Sequence, residues 1–171
     1  STDNIIVNFT SLTVDLGEDQ EFCDVVSFEI IPDIVGEISN ATYLWSTGET
    51  TSTIVVNTTG DYSVVVTAET CEVTASVNLL FKDSPLIDLG EDQSICNSST
   101  VLLDATPLNL DDLVAVSYKW FKDSVEIIGE VLSTLTVAES GIYTAEVNAD
   151  GCLSTDNIIV NFTSLTVDLG E

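Results

Sequence analysis

The stretch Tyr62-Ser63-Val64-Val65-Val66-Thr67 returns later in the chain as Tyr143-Thr144-Ala145-Glu146-Val147-Asn148. Comparing the two copies separates the faces of one strand. Tyr62, Val64 and Val66 align with Tyr143, Ala145 and Val147, whereas Val65 aligns with Glu146. Successive side chains of a strand point to opposite sides, so the tyrosine side faces a core and the other side faces water. The same alternation in Thr42-Tyr43-Leu44-Trp45 and Ser117-Tyr118-Lys119-Trp120 puts tyrosine and tryptophan on one face and turns Leu44, which aligns with Lys119, outward. Val, Ile and Thr make up about a third of the residues, a bias that suits pleated strands and disfavours long helices. No stretch sustains an apolar stripe at helical spacing. Turn signals at Ser46-Thr47-Gly48-Glu49, Thr59-Gly60-Asp61 and Ser140-Gly141 punctuate short strands, the rhythm of an all-β sandwich.

Working outward, the two copies belong to a larger pattern. Leu16-Gly17-Glu18-Asp19-Gln20 recurs as Leu89-Gly90-Glu91-Asp92-Gln93, each soon followed by a cysteine, Cys23 and Cys96. Cys71 and Cys152 match in the same way. Two homologous modules of roughly 73 and 80 residues follow. A second repeat lies above this one: residues 1–18 and 154–171 are the same string, offset by 153 residues. That identity predicts a parent chain repeating at this period. The expected division is residues 1–11 as the last strand of a preceding module, 12–83 as module 1, 84–164 as module 2 and 165–171 as the start of the next. Strands are expected near 12–16, 25–31, 42–46, 53–57, 61–68 and 71–81, then near 86–89, 99–105, 114–121, 126–128, 134–137, 142–148 and 152–162. Phe81-Lys82-Asp83-Ser84-Pro85 forms the joint, short and stiffened by its proline.

Composition excludes several functions. The 171 residues carry 29 Asp and Glu against 3 Lys and no Arg or His, a net charge of -26, yet 44% are hydrophobic. Such a chain has ample apolar material to fold, while its charge repels phosphate and anionic headgroups. Direct binding to nucleic acid or insertion into a membrane is not expected. Without histidine, the commonest general base and the commonest neutral metal ligand are absent. There is no cationic segment leading into an apolar one and no apolar run near 18 residues, which reads as an internal or processed fragment.

The four cysteines, two per module at matched positions, read as one bridge within each module, Cys23 to Cys71 and Cys96 to Cys152. The other reading is four buried free thiols. Bridges closing loops of about 50 residues are worth roughly 4 kcal/mol in the chain-entropy treatment and imply an oxidising, extracytoplasmic location. Each would join the start of a module to its end, so that tension would bypass the residues between.

The string from Tyr43 to Val56, then Gly60 to Val66 and Cys71, resembles the immunoglobulin-like repeats of very large Bacteroidota surface proteins. Asp15 to Gln20 with Cys23 is similar to the start of those repeats. In module 2 the Trp-Ser-x-Gly turn is replaced by Trp120-Phe121-Lys122-Asp123, so that loop should differ in shape. The resemblance implies two tandem immunoglobulin-like β-sandwich modules from a longer array, exported by the type IX secretion system and displayed on the bacterial surface. Its implied partners are adjacent identical repeats in the same chain, an external surface or polysaccharide, and gliding and secretion machinery reached through other parts of the parent protein. It also makes Ser124, in Asp123-Ser124-Val125, a candidate O-glycosylation acceptor. Asn8, Asn40, Asn57, Asn97 and Asn161 open Asn-x-Ser/Thr triplets, as expected of a chain this rich in Ser and Thr.

Three other groupings have a functional and a structural reading. Asp15, Glu18 and Asp19, recurring as Asp88, Glu91 and Asp92, could gather oxygens for Ca²⁺, but match no calcium-loop spacing and read better as a hydrogen-bonded turn. No other cofactor is expected. Trp45, Trp120, Tyr43 and Tyr118 could stack on a sugar, but their matched positions on a central strand read better as core packing, with Trp45, Trp120, Tyr62 and Tyr143 as the core aromatics. Paired carboxylates could in principle hydrolyse a glycoside, but modules this small leave little room for a cleft, and no enzymatic activity is expected.

Overall fold

The structure is a computed structural model describing residues 11–36, 40–69, 71–96 and 98–164. The outer-strand readings at 1–10 and 165–171, and the triplets opened by Asn8 and Asn97, lie outside the described residues. The chain divides into two compact units between Lys82 and Asp83. Each is built from strands, with one 3-10 turn at Leu110–Asp112 in the second.

Unit 1 holds β1 (Thr13–Asp15), β2 (Gln20–Cys23), β3 (Phe28–Ile30), β4 (Asp33–Val35), β5 (Thr42–Trp45), β6 (Ile54–Val56), β7 (Gly60–Ala68) and β8 (Cys71–Lys82). One sheet runs in the order β2-β8-β7-β5; β3 pairs with β6, and β1 with β4. Unit 2 holds β9 (Gln93–Cys96), β10 (Val101–Asp104), β11 (Val116–Lys122), β12 (Val125–Glu126), β13 (Thr134–Val137), β14 (Gly141–Ala149) and β15 (Cys152–Thr163). Its larger sheet runs β12-β11-β14-β15-β9, and β10 pairs with β13. Among the described residues all strand pairings are antiparallel except two. β2 runs parallel to β8, and β9 parallel to β15.

The face assignment from the sequence holds. Tyr62, Val64 and Val66 are buried in unit 1, and Tyr143, Ala145 and Val147 in unit 2, while Leu44 and Lys119 are exposed. Each core gathers around a tryptophan, 2% exposed at Trp45 and 0% at Trp120. Trp45 packs with Leu16, Ile30, Ile54 and Leu79, and Trp120 with Leu89, Leu103, Leu135 and Ile158. Neither indole is stranded: Trp45 Nε1 donates to the Thr51 carbonyl at 2.8 Å and Trp120 Nε1 to the Leu132 carbonyl at 2.9 Å. Among the described residues no buried side-chain nitrogen or oxygen lacks a partner, as a dry core requires.

Both units also carry a tyrosine corner, in which a tyrosine at the start of one strand bonds back to the preceding turn. Tyr62 Oη donates to the Thr58 carbonyl at 2.6 Å and Tyr143 Oη to the Glu139 carbonyl at 2.9 Å. Burial pushes the Tyr143 hydroxyl up from its ordinary pKa, which keeps the proton it donates. The loop after the tryptophan differs between units as the sequence suggests. Gly48 N closes a turn on the Trp45 carbonyl in unit 1, whereas in unit 2 Asp123 and Ser124, both at positive φ, turn β11 into β12.

Two strand readings need correction. The expected strand at 86–89 pairs with no neighbour as a ladder, because its amides are spent on side chains: Leu86 N on Asn109 Oδ1 and Leu89 N on Asp156 Oδ2. Conversely, Gln20–Cys23, Asp33–Val35 and Gln93–Cys96 are strands where none was expected.

Candidate functional site

The Leu-Gly-Glu-Asp-Gln motif builds the edge of each module. Asp15 Oδ1 accepts from Gly17 N at 2.9 Å, and Asp88 Oδ1 from Gly90 N at 2.8 Å. This local turn needs a left-handed residue, supplied by Gly17 at φ 85° and Gly90 at φ 82°. It drives Leu16 or Leu89 into the core. Asp19 Oδ1 then accepts the backbone N–H of Asn78 at 2.8 Å, and Asp92 Oδ1 that of Ile159 at 2.9 Å. These bonds pin the start of β2 to β8 and of β9 to β15, fixing the parallel register.

The acidic cluster therefore acts as a clasp. Glu18 and Glu91 are exposed, the four aspartates are occupied as acceptors, and among the described residues no three His, Cys, Asp or Glu are grouped to hold a metal ion. Asp15 and Asp88 each spend Oδ1 on the local turn, and Asp19 and Asp92 each spend Oδ1 on the strand register. We expect Asp92→Ala to cost about 1 kcal/mol, the net worth of one hydrogen bond, and to speed amide exchange across Gln93–Cys96. Glu91→Ala should do neither; equal effects from the two changes would refute the clasp.

The register set by the clasp decides where the cysteines lie, and here the expected bridges fail. Cys23 stands opposite Lys82, the last residue of β8, while Cys71 is the first residue of that strand and stands opposite Ala68. Likewise Cys96 stands opposite Thr163 at the end of β15, and Cys152 opens β15 opposite Ala149. Eleven strand steps separate the two cysteines of a module, about 36 Å at ~3.3 Å per residue, against the ~4.4–6.8 Å between Cα atoms that a disulfide spans. Bridges Cys23–Cys71 and Cys96–Cys152 are excluded. Cys71 and Cys96 carry free thiols, whereas Cys23 and Cys152 are disulfide-bonded.

The cysteine positions are built by more than the clasp. Asp150 and Gly151, both at positive φ, form the two-residue turn that delivers Cys152, the geometry of a tight hairpin. At the opposite ends, Asp24 N donates to the Lys82 carbonyl at 3.0 Å, Lys82 Nζ meets Glu21 at 2.7 Å, and Thr163 Oγ1 donates to the Ile95 carbonyl at 3.2 Å.

The other candidates resolve as structure. Tyr43 and Tyr118 are half-buried against their cores beside the tryptophans, so the four aromatics present no flat exposed platform. Ser124 sits exposed at the tip of its turn, and Asn40, Asn57 and Asn161 are exposed. A shallow hollow of about 330 Å³ in unit 2 is lined by Lys122, Ile127, Glu130, Leu135, Glu139 and Tyr143 among others. Its charges are already committed: Lys122 pairs with Glu139, which holds the Glu139 carboxyl below its usual range and the Lys122 ammonium above its own. Lys119 pairs with Glu146 at 3.0 Å, so all three lysines of the chain are in ion pairs and the remaining surface charge is carboxylate.

Signals for the clasp and the corner can be found in the sequence: the clasp aspartates recur in both modules outside the apolar alternation, and the corner tyrosine recurs at the head of it. No protein-family model matches the sequence, and no curated protein matches it. Solved structures match the fold. The extracellular domains 3-5 of Drosophila OTK superpose with a TM-score of 0.63 at 13% identity, covering 92% of this chain and 63% of that one. Immunoglobulin domains 1-5 of Sidekick-1 give 0.59 at 12% identity, covering 91% and 40%. The chain thus spans less than two thirds of the length of either. At such identity the likeness is one of fold, and it shows two tandem immunoglobulin-like domains.

Proposed function

We propose that this chain is a segment of a long extracellular array whose modules project, space and carry load for cell adhesion, without catalysis. The observation that carries the reading is the repeat of residues 1–18 at 154–171 around two units that each own a complete core. Modules that fold separately and recur in register make an extended repeat protein rather than a single binding body. The disulfide chemistry of Cys23 and Cys152 belongs to an oxidising compartment. No helix among the described residues is long and apolar enough to cross a membrane.

The finer reading follows the resemblance of the motifs. It places the array on the outer surface of a Bacteroidota cell, exported by type IX secretion and used in gliding, most like the giant gliding-motility adhesin SprB. Contacts with polysaccharide and with the gliding machinery are then made by the filament and by other parts of the parent protein. Exposed Ser124 would be available for O-glycosylation.

Titration against a panel of polysaccharides tests the assignment. A spacer shows no saturable binding. Saturable binding abolished by Glu130→Ala or Ile127→Ala in the hollow of unit 2 would favour instead an array of carbohydrate- or protein-binding modules. A net charge of -26 with every lysine paired further predicts that the array is held extended by self-repulsion. Added salt screens this within about 8–10 Å, so scattering should show shortening or bundling between low salt and ~0.5 M; a contour indifferent to ionic strength would count against a charge-extended filament.

A further inference from the structure

We propose that unit 2 carries a docking groove for an extended, cationic peptide segment of a partner protein, which adds a strand to the open edge of β13 and sets alternate apolar side chains into the hollow beside it. The inference goes beyond the spacer reading and does not rest on it. The register of β10 against β13 shows the open edge. Ala105 N donates to the carbonyl of Ser133, directly opposite, at 2.8 Å, and the ladder continues with Asp104 opposite Thr134, Leu103 opposite Leu135 and Leu102 opposite Thr136. In an antiparallel ladder, pairs that exchange hydrogen bonds alternate with pairs that do not. Thr134 and Thr136 therefore turn their N–H and C=O groups away from β10. Among the described residues no strand lies on that side, since β10 and β13 form a two-stranded sheet. Such an edge is a template for a further strand.

The hollow of unit 2 borders this edge. It is lined by Leu135, Thr136 and Val137 of β13 and by Lys122, Ile127 and Tyr143 of the larger sheet and the chain just beyond β12. A peptide strand beside β13 would point every second side chain into it and the others to water. Comparing the modules shows that its apolar margin is an addition. After the core tryptophan, module 1 runs from Ser46 to Thr53 without an apolar residue, whereas module 2 runs from Phe121 to Thr134 and includes Val125, Ile127, Ile128, Val131 and Leu132. Ile128 is 90% exposed, and Val125, Val131 and Leu132 are each at least 65% exposed. Side chains this open contribute little to the core of their own module, and an exposed apolar cluster marks a contact surface.

Charge selects the occupant. Glu126, Glu130 and Glu139 are exposed around the groove, and Lys122, the lysine of the hollow, is held by Glu139. A second copy of this chain, at -26 with every lysine paired, is repelled, whereas a segment carrying lysine or arginine on its water-facing side is attracted. Main-chain bonds to Thr134 and Thr136 would supply affinity, and the alternation of apolar and basic side chains would supply choice.

The test uses the full 171-residue chain and a capped synthetic heptapeptide of alternating lysine and valine, with an alternating glutamate and valine heptapeptide as control. In calorimetric titration the lysine peptide should bind saturably and weaken as salt is raised. It should slow amide exchange at Thr134 and Thr136 by about tenfold or more, while Ile54–Val56 of unit 1 keeps its rates. Glu130→Lys and Ile128→Ser, both at exposed positions, should each weaken binding by about fivefold or more without moving the melting transition of the free protein. No saturable binding, equal binding of the glutamate peptide, or slowed exchange away from β13 would overturn the proposal. So would a polysaccharide that displaces the peptide, which would make the hollow a sugar site, or self-association of the free chain that protects the same two amides, which would give the groove to a second copy. The peptide titration needs no neighbouring repeat, so its failure leaves the array reading standing.

Discussion

Pulled from its ends in reductant, a chain of these modules should lengthen in steps of roughly 230 Å, one for each module. Each unit closes its own core, around Trp45 in one and Trp120 in the other, so each should yield as a separate event. A module of about 75 residues extends to some 270 Å from a folded length near 40 Å, the reach of its 12-residue closing strand. Single-molecule force spectroscopy reads the step directly, and a single step near twice that size would mean that the two units yield together.

The edge strands β2 and β9 show why the face alternation is legible in the sequence and the cysteine pairing is not. Tyr62, Val64 and Val66 against Tyr143, Ala145 and Val147 reveal their buried side because β7 and β14 are long and flanked on both sides, so every second residue must be apolar. Gln20–Cys23 is four residues long and half polar, and its partner Leu79–Lys82 lies 59 residues away in parallel. Nothing local marks it as a strand. Missing it reverses the geometry of the thiols: a cysteine near the start of a module in sequence reads as lying near its start in space, but β2 runs forward alongside β8 and carries Cys23 to the exit end. The clasp aspartates were visible as a repeated cluster, yet only the register shows two of them accepting amides of the closing strand. The 86–89 reading erred differently, because Ile87 and Leu89 have strand-like alternation while neighbouring amides are captured by Asn109 and Asp156 side chains.

Trp120→Ala should unfold unit 2 at ambient temperature or lower its melting transition by at least about 12 °C. Trp120 is fully buried against Leu103, Leu135 and Ile158, and truncating a buried tryptophan costs about 3–5 kcal/mol. A domain of some 80 residues loses about 4–8 °C per kcal/mol and has only about 5 kcal/mol in reserve. The lost indole also strips the Leu132 carbonyl of its donor, which Trp120→Phe isolates: that variant keeps most of the ring's packing and should cost less, about 1–3 kcal/mol. Lys119→Ala, one residue away on the exposed face and paired with Glu146, should shift the transition by no more than a few degrees, the worth of a surface ion pair. Because unit 1 has its own core around Trp45, its transition should persist in Trp120→Ala, so calorimetry should show one peak displaced and one retained. Joint loss of both peaks would mean that the modules fold as one cooperative body, and an array of independently folding units could not then be built from them.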